Sequence, residues 1–304
     1  MKAKLTWAIL ATALILSSCS RERIDNIDEL NAYEPIDNYL DSKKQEEQEI
    51  EVTEENDGPI TGKLGTNIWI SKNLLMFPDS TDVDWPYTVK LVELYTAKDM
   101  IYYQMPTVAG GRILETEGEV RVRAFKEDAN GKWQELILKP NRTFSVEMPS
   151  DSARDNLNVY YEKKASGFVD WTTDVISIGG NAGDATFTKT SKGHKANIGK
   201  LGWINCGLAH QGDYSLKFAS ETDHLENVGL FTYIPVYKSL IQAYSGITSD
   251  LPKGSKVKII AMGINTKDEL FCHTQESQIN ATTTVSVVLQ PISEDELTTI
   301  LDNL

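Results

Sequence analysis

The residues that could do chemistry in this chain are few and scattered. Asp79, Asp82 and Asp84 present three carboxylates within the turn-forming stretch Pro78–Asp84, the type of donor that calcium takes. They lack the glycine and terminal glutamate of a calcium loop, so a turn of solvated acids is the expectation. His194, His210, His224 and His273 have no spacing that would gather them around a metal. Gly193–Lys200 imitates a phosphate loop, but five residues separate its glycines and Leu201 stands where a hydroxyl is required. Ser255 and Lys258 fit Ser-x-x-Lys, yet strand alternation places them on opposite faces. No metalloprotease helix motif, Cys-x-x-Cys pair or nucleophile elbow occurs. An active site would have to converge in space, with Asp170, Asp174, His194 and His210 as candidates. No cofactor is expected.

The cysteines carry more information. Cys19 follows two lysines, an apolar run from Leu5 to Leu16, and Ser17-Ser18. That run is too short to span a bilayer, and small residues precede the cysteine, as a lipoprotein-processing enzyme requires. Cys19 is therefore expected to become the first mature residue and to carry palmitate-type acyl chains. Two or more chains anchor stably where one does not. In such an envelope compartment Cys206 and Cys272 form an even pair; a disulfide and two buried thiols are both open readings.

These residues must be positioned by β structure. After a signal peptide (1–18), residues 19–59 are read as a lipidated, flexible, disordered acidic tether. Between Ser20 and Ile60, fourteen Asp or Glu face four Lys or Arg, against a net charge of −14 for the whole chain. This acidity excludes nucleic acid as a partner. From Ile60 short alternating segments begin, including Thr66–Ile70, Tyr87–Tyr95, Gly118–Phe125, Trp133–Leu138 and Thr143–Met148. Later strands are expected at Asn158–Glu162, Phe168–Trp171, Leu201–Cys206, Tyr214–Phe218, Val228–Ile234, Lys256–Met262, Glu269–His273 and Thr282–Leu289. Val236–Tyr244 has helical spacing. Ser293 and Glu296 form a capping box before Leu297, Ile300, Leu301 and Leu304. The chain is thus read as mainly β: two antiparallel β-sandwich-like modules, 60–175 and 176–304, with a short C-terminal helix.

Asp99-Met100, Met105-Pro106-Thr107, Gly111–Glu115 and Gly118–Val122 resemble an N-terminal module of envelope lipoproteins of Bacteroidota. Leu201–Cys206 and Leu251–Val257 resemble the C-terminal module that accompanies it. In those relatives the Asn-Cys pair is often followed by an acid, an arginine and an aromatic; Gly207-Leu208-Ala209 stand here. The N-terminal half is also similar to the β-sandwich module of netrin receptors and ankyrins. The resemblance implies an outer-membrane location and an association role without catalysis. The function expected is therefore a lipid-anchored binding or assembly module for an envelope protein or glycan, facing either the periplasm or the cell surface. An envelope hydrolase and a fimbrial or adhesin subunit are the alternatives. Exposed aromatics such as Tyr102, Tyr103 and Tyr233 would mark a binder.

Overall fold

A computed structural model describes residues 30–304 except 57, 166 and 167, so Cys19, the expected signal peptide and the start of the acidic segment lie outside the described residues. The protein is mainly β and stacks three large sheets. At the centre, strands Gln48–Val52, Tyr87–Leu94, Arg112–Glu127, Gly202–His210, Asn158–Ala165 and Phe168–Thr172 pair in that order, all antiparallel. Alternation explains why this sheet has a core on both sides. Val120, Val122 and Ala124 enter one core, while Glu119, Arg121 and Arg123 share the opposite face with Leu94 and Trp203.

The first core lies between the central sheet and a second one made by Ile60–Thr61, Asn67–Trp69, Phe144–Pro149, Gly193–Ile198 and Thr188–Lys189. Ile68, Phe144 and Val146 meet Val120 and Val122 there, and burial of each such side chain stabilises the fold by roughly 1.5–3 kcal/mol. The second core joins the other face of the central sheet to the C-terminal sheet. That sheet orders Ser239–Gln242, Gly229–Ile234, Lys256–Ile264, Leu270–Gln278 and Gln290–Ile292. Its far face is covered by Leu216–Ala219, which pairs in parallel with Thr283–Ser286.

Gly118 is where the long strand bends. Its φ is +137°, and a Cβ there would meet the Tyr95 ring at 2.3 Å. The register with Gly202–His210 slips beside it, between Asn205 and Gly207.

Three helices complete the second core and its rim. Helix Ala97–Tyr103, which sequence spacing did not reveal, is capped by Thr96, whose hydroxyl accepts from the Asp99 amide, and stops at Gln104 in a left-handed conformation. The C-terminal helix Glu294–Asp302 has the expected reciprocal Ser293–Glu296 capping box and buries Leu297 and Leu301. The short helix Asp37–Ser42 buries Leu40.

Several expectations need correction. Residues 31–52, assigned to the flexible tether, are folded. Tyr33, Ile36, Leu40 and Val52 are buried, and Gln48–Val52 forms the edge of the central sheet. A few apolar anchors outweigh the acidic composition. The expected module boundary at 175/176 is crossed by three ladders: Gly193–Ile198 pairs with Phe144–Pro149, and Gly202–His210 pairs with both Arg112–Glu127 and Asn158–Ala165. Strand membership changes after His210 instead. The helix expected at 236–244 is a 3-10 turn, Pro235–Tyr237, followed by strand Ser239–Gln242, because hydrogen bonding to Gly229–Ile234 overrides the helical spacing.

Candidate functional site

The residues singled out by their chemistry are held apart. Asp79 accepts from the Thr81 amide, Asp82 pairs with Lys139 and Asp84 with Lys72, so the three acids serve as turn and ion-pair partners. Among the described residues, no group of three or more His, Cys, Asp or Glu could hold a metal. Asp170 accepts from the Gly110 amide at 2.8 Å, and Asp174 from that of Ser177 at 3.1 Å. His194 is fully buried and accepts from the Arg154 amide at 3.1 Å; burial holds it below the usual histidine range. His210 pairs with Glu115 at 2.7 Å and stacks on Tyr237. His224 donates its amide to the Asn31 carbonyl, while His273 Nδ1 faces the Val288 amide. The four hydrolase candidates therefore each have a separate partner.

Cys206 and Cys272 are free and buried in different cores, Cys206 among the residues between the central and second sheets and Cys272 on the C-terminal sheet. Of the two open readings, the structure has two thiols. Burial pushes both above the ordinary thiol range, Cys272 to about 12, which makes them poor nucleophiles. Glu115, Glu117, Arg154 and Lys238 form a linked charge cluster, with Glu117 between Arg154 (3.6 Å) and Lys238 (2.9 Å). It joins the central sheet to the Pro235–Tyr237 turn and so ties the two halves together.

What the fold does assemble is a groove. A cavity of about 830 Å³ runs past Pro35, Asp37, Asp223, His224 and Glu226, and a second of about 540 Å³ past Tyr103, Arg121, Arg123, Glu162 and Trp203. Gln104 and Tyr244 line both, so the cavities adjoin. Tyr102, Tyr103 and Tyr233, expected on the surface, are buried at 7–8% exposure because they face the second core. Beside the second cavity the exposed rings are instead Phe168 (43%) and Tyr244 (41%), with centroids 4.3 Å apart.

Beneath the second cavity the register stacks the polar row of the central sheet. Arg121 lies opposite Trp203, and Trp203 contacts both the Arg121 guanidinium, 5.0 Å from its centroid, and the edge of Tyr103 at 5.7 Å. Arg121 and Arg123 donate to opposite oxygens of Glu47, at 2.9 and 2.6 Å, while their buried Nε atoms have no partner among the described residues. One step along the same strands, Glu119 lies opposite Asn205, whose amide donates to Glu119 Oε1 at 3.0 Å. Glu119 is wholly buried, its second oxygen has no partner among the described residues, and burial raises its pKa well above the carboxylate range.

Alternation in 118–125 marked the charged face of this strand. Nothing in the spacing showed that Glu47, Tyr103 and Gln104 would converge on it from distant segments. Phe168 and Tyr244 are 76 residues apart and carried no local signal. Compared with known proteins, the chain matches no family model, no curated protein and no solved structure. Among the described residues no helix is long and apolar enough to cross a membrane.

Proposed function

We propose that this protein is a lipid-anchored envelope module that binds an extended polymer, protein or glycan, in the groove beneath Phe168 and Tyr244. The observation that carries the reading is the joining of two cavities at Tyr244, whose exposed ring packs against that of Phe168. Exposed neighbouring aromatics supply contact area at low entropic cost, and a concave surface lined by a few fixed polar groups selects orientation. The reading leaves Asp170, Asp174, His194 and His210 in structural roles, since each is occupied by its own partner.

Attachment at Cys19 is part of the same proposal and rests on the sequence flanking it. Eleven residues separate Cys19 from Asn31, which makes a bridge to Asp223. Fully extended, they reach at most about 40 Å. The folded part would therefore ride close to the bilayer, with the Pro35–Asp37 end of the groove beside its attachment point.

The test is affinity capture from detergent-solubilised envelopes with residues 30–304 as bait, beside a Phe168→Ala/Tyr244→Ala double variant. A component retained by the first and lost by the second supports the reading. Identical retention by both baits, or none by either, overturns it. In cells, Cys19→Ala is expected to abolish incorporation of an alkyne-labelled fatty acid and to release the protein from the membrane fraction. Undiminished labelling of that variant would reject the anchor.

A further inference from the structure

Resting on the groove assigned above, we infer that its ligand is an uncharged oligosaccharide, with sugar rings against Phe168 and Tyr244 and hydroxyls on the polar row of the central sheet. Charge is the first argument. The cavity over Trp203 is lined by Arg121, Arg123 and Lys164 and by Glu135 and Glu162, with Glu47 clamped across the two arginines. Three cations thus meet three carboxylates. An anionic polymer would have to compete with Glu47 for the guanidinium groups. Continuing past Tyr244, it would enter a cavity whose charged lining includes Asp37, Asp223 and Glu226 and has no lysine or arginine. A cationic peptide would meet the guanidinium pair. Either charge is opposed at one end, and a neutral chain at neither.

Hydrogen-bonding capacity is the second argument. Arginines only donate and ionised carboxylates only accept, so a row of both suits groups that do each at once, as hydroxyls do. Each guanidinium has five N–H donors, and Glu47 takes one Nη2 contact from each. The two side chains are 25% and 28% exposed, which leaves Nη donors for a bound ligand or water.

Shape is the third. Phe168 and Tyr244 present a rim of two rings tilted by 44°, suited to the flat C–H faces of sugar rings. A peptide would gain most by extending a sheet edge. The nearby outer strand, Phe168–Thr172, is instead flanked by the 106–110 segment: Trp171 donates to the Pro106 carbonyl and the Gly110 amide to Asp170, both at 2.8 Å.

Calorimetric titration of residues 30–304 tests this with neutral gluco-, manno-, xylo- and galacto-oligosaccharides, beside oligogalacturonate and oligolysine. At least one neutral series is expected to bind with an affinity that changes less than twofold when salt is raised to about 0.5 M, since no ion pair is formed. Tyr244→Ala and Phe168→Ala, both at exposed positions, are expected to weaken it at least tenfold. Glu162→Gln should weaken it several-fold without changing the melting temperature. Binding of the charged probes alone, or of none of the sugars, overturns the saccharide assignment. Groove-dependent capture of an envelope protein would then leave the broader binding role standing.

Discussion

Two fully buried glutamates in adjacent strands show how local donors decide what a charge does. Glu93 accepts from Gln48 Nε2 (2.7 Å) and from the amides of Leu64 (2.9 Å) and Thr66 (3.0 Å), so both oxygens are satisfied. Glu93→Gln would turn an amide group toward donors, and is expected to destabilise the protein by about 1–3 kcal/mol in urea unfolding. Glu119 has only Asn205 and holds its proton. Below the unfolded carboxylate range both states are protonated and its contribution is complete. As pH rises past that range the unfolded state ionises first, so stability falls until the folded group ionises too. Glu119→Gln is therefore expected to leave stability near pH 4 almost unchanged and to raise it by about 1 kcal/mol or more near pH 8. Equal pH dependence of variant and wild type in urea melts would contradict the buried acid. Sequence alternation put Glu119 in line with Arg121 and Arg123 on the charged face but did not show that this face is covered. The covering segment, with Tyr103 to Thr107, comes from elsewhere in the chain, so no local pattern could report it.

At the scale of elements, the N-terminal strap is the clearest departure from composition. Asp223 accepts from Tyr33 (2.7 Å), Asn31 (3.1 Å), Thr222 (2.7 Å) and Ser220 (3.1 Å). Burial alone would raise its pKa, but the bonds from Thr222, Tyr33, Asn31 and the Leu289 amide hold it below the usual range. Its stabilisation is present above the unfolded carboxylate range and is lost as pH falls through the lower folded value. Asp223→Ala should cost about 2–4 kcal/mol and speed hydrogen exchange in 31–36 far more than in the central sheet. Uniform exchange across the chain would refute a local strap. The strands were legible because apolar residues alternate over several positions, as in Tyr87–Leu94, and the terminal helix because its cap and stripe are both local. Gln48–Val52 was not, since an edge strand of five residues needs only Val52 and Ile50 against the core and otherwise reads as acidic spacer. Val236–Tyr244 satisfied two periods at once, and cross-strand pairing chose between them.

For the whole molecule, the two modules anticipated from the sequence are interlocked more than adjoining. The first borrows Gly193–Ile198 and Gly202–His210 from the second half, and a shared core lies between the central and C-terminal sheets. A fragment of residues 60–175 lacks those strands and the Gln48–Val52 edge, and is expected to show no dispersed amide NMR spectrum, whereas residues 30–304 should. A folded 60–175 fragment would mean that the ladders across 175/176 are dispensable. The same interlocking builds the groove, whose walls come from the strap, the 97–107 segment, the central sheet and the 242–246 loop. The most direct test of the central claim is a photo-crosslinking amino acid at Tyr244 in the full-length protein within intact cells, with a second probe at the exposed Trp133 as control. The binding account predicts an envelope adduct at Tyr244 that is absent at Trp133 and lost on adding Phe168→Ala. Equal adducts at both positions, or none at Tyr244, would contradict it.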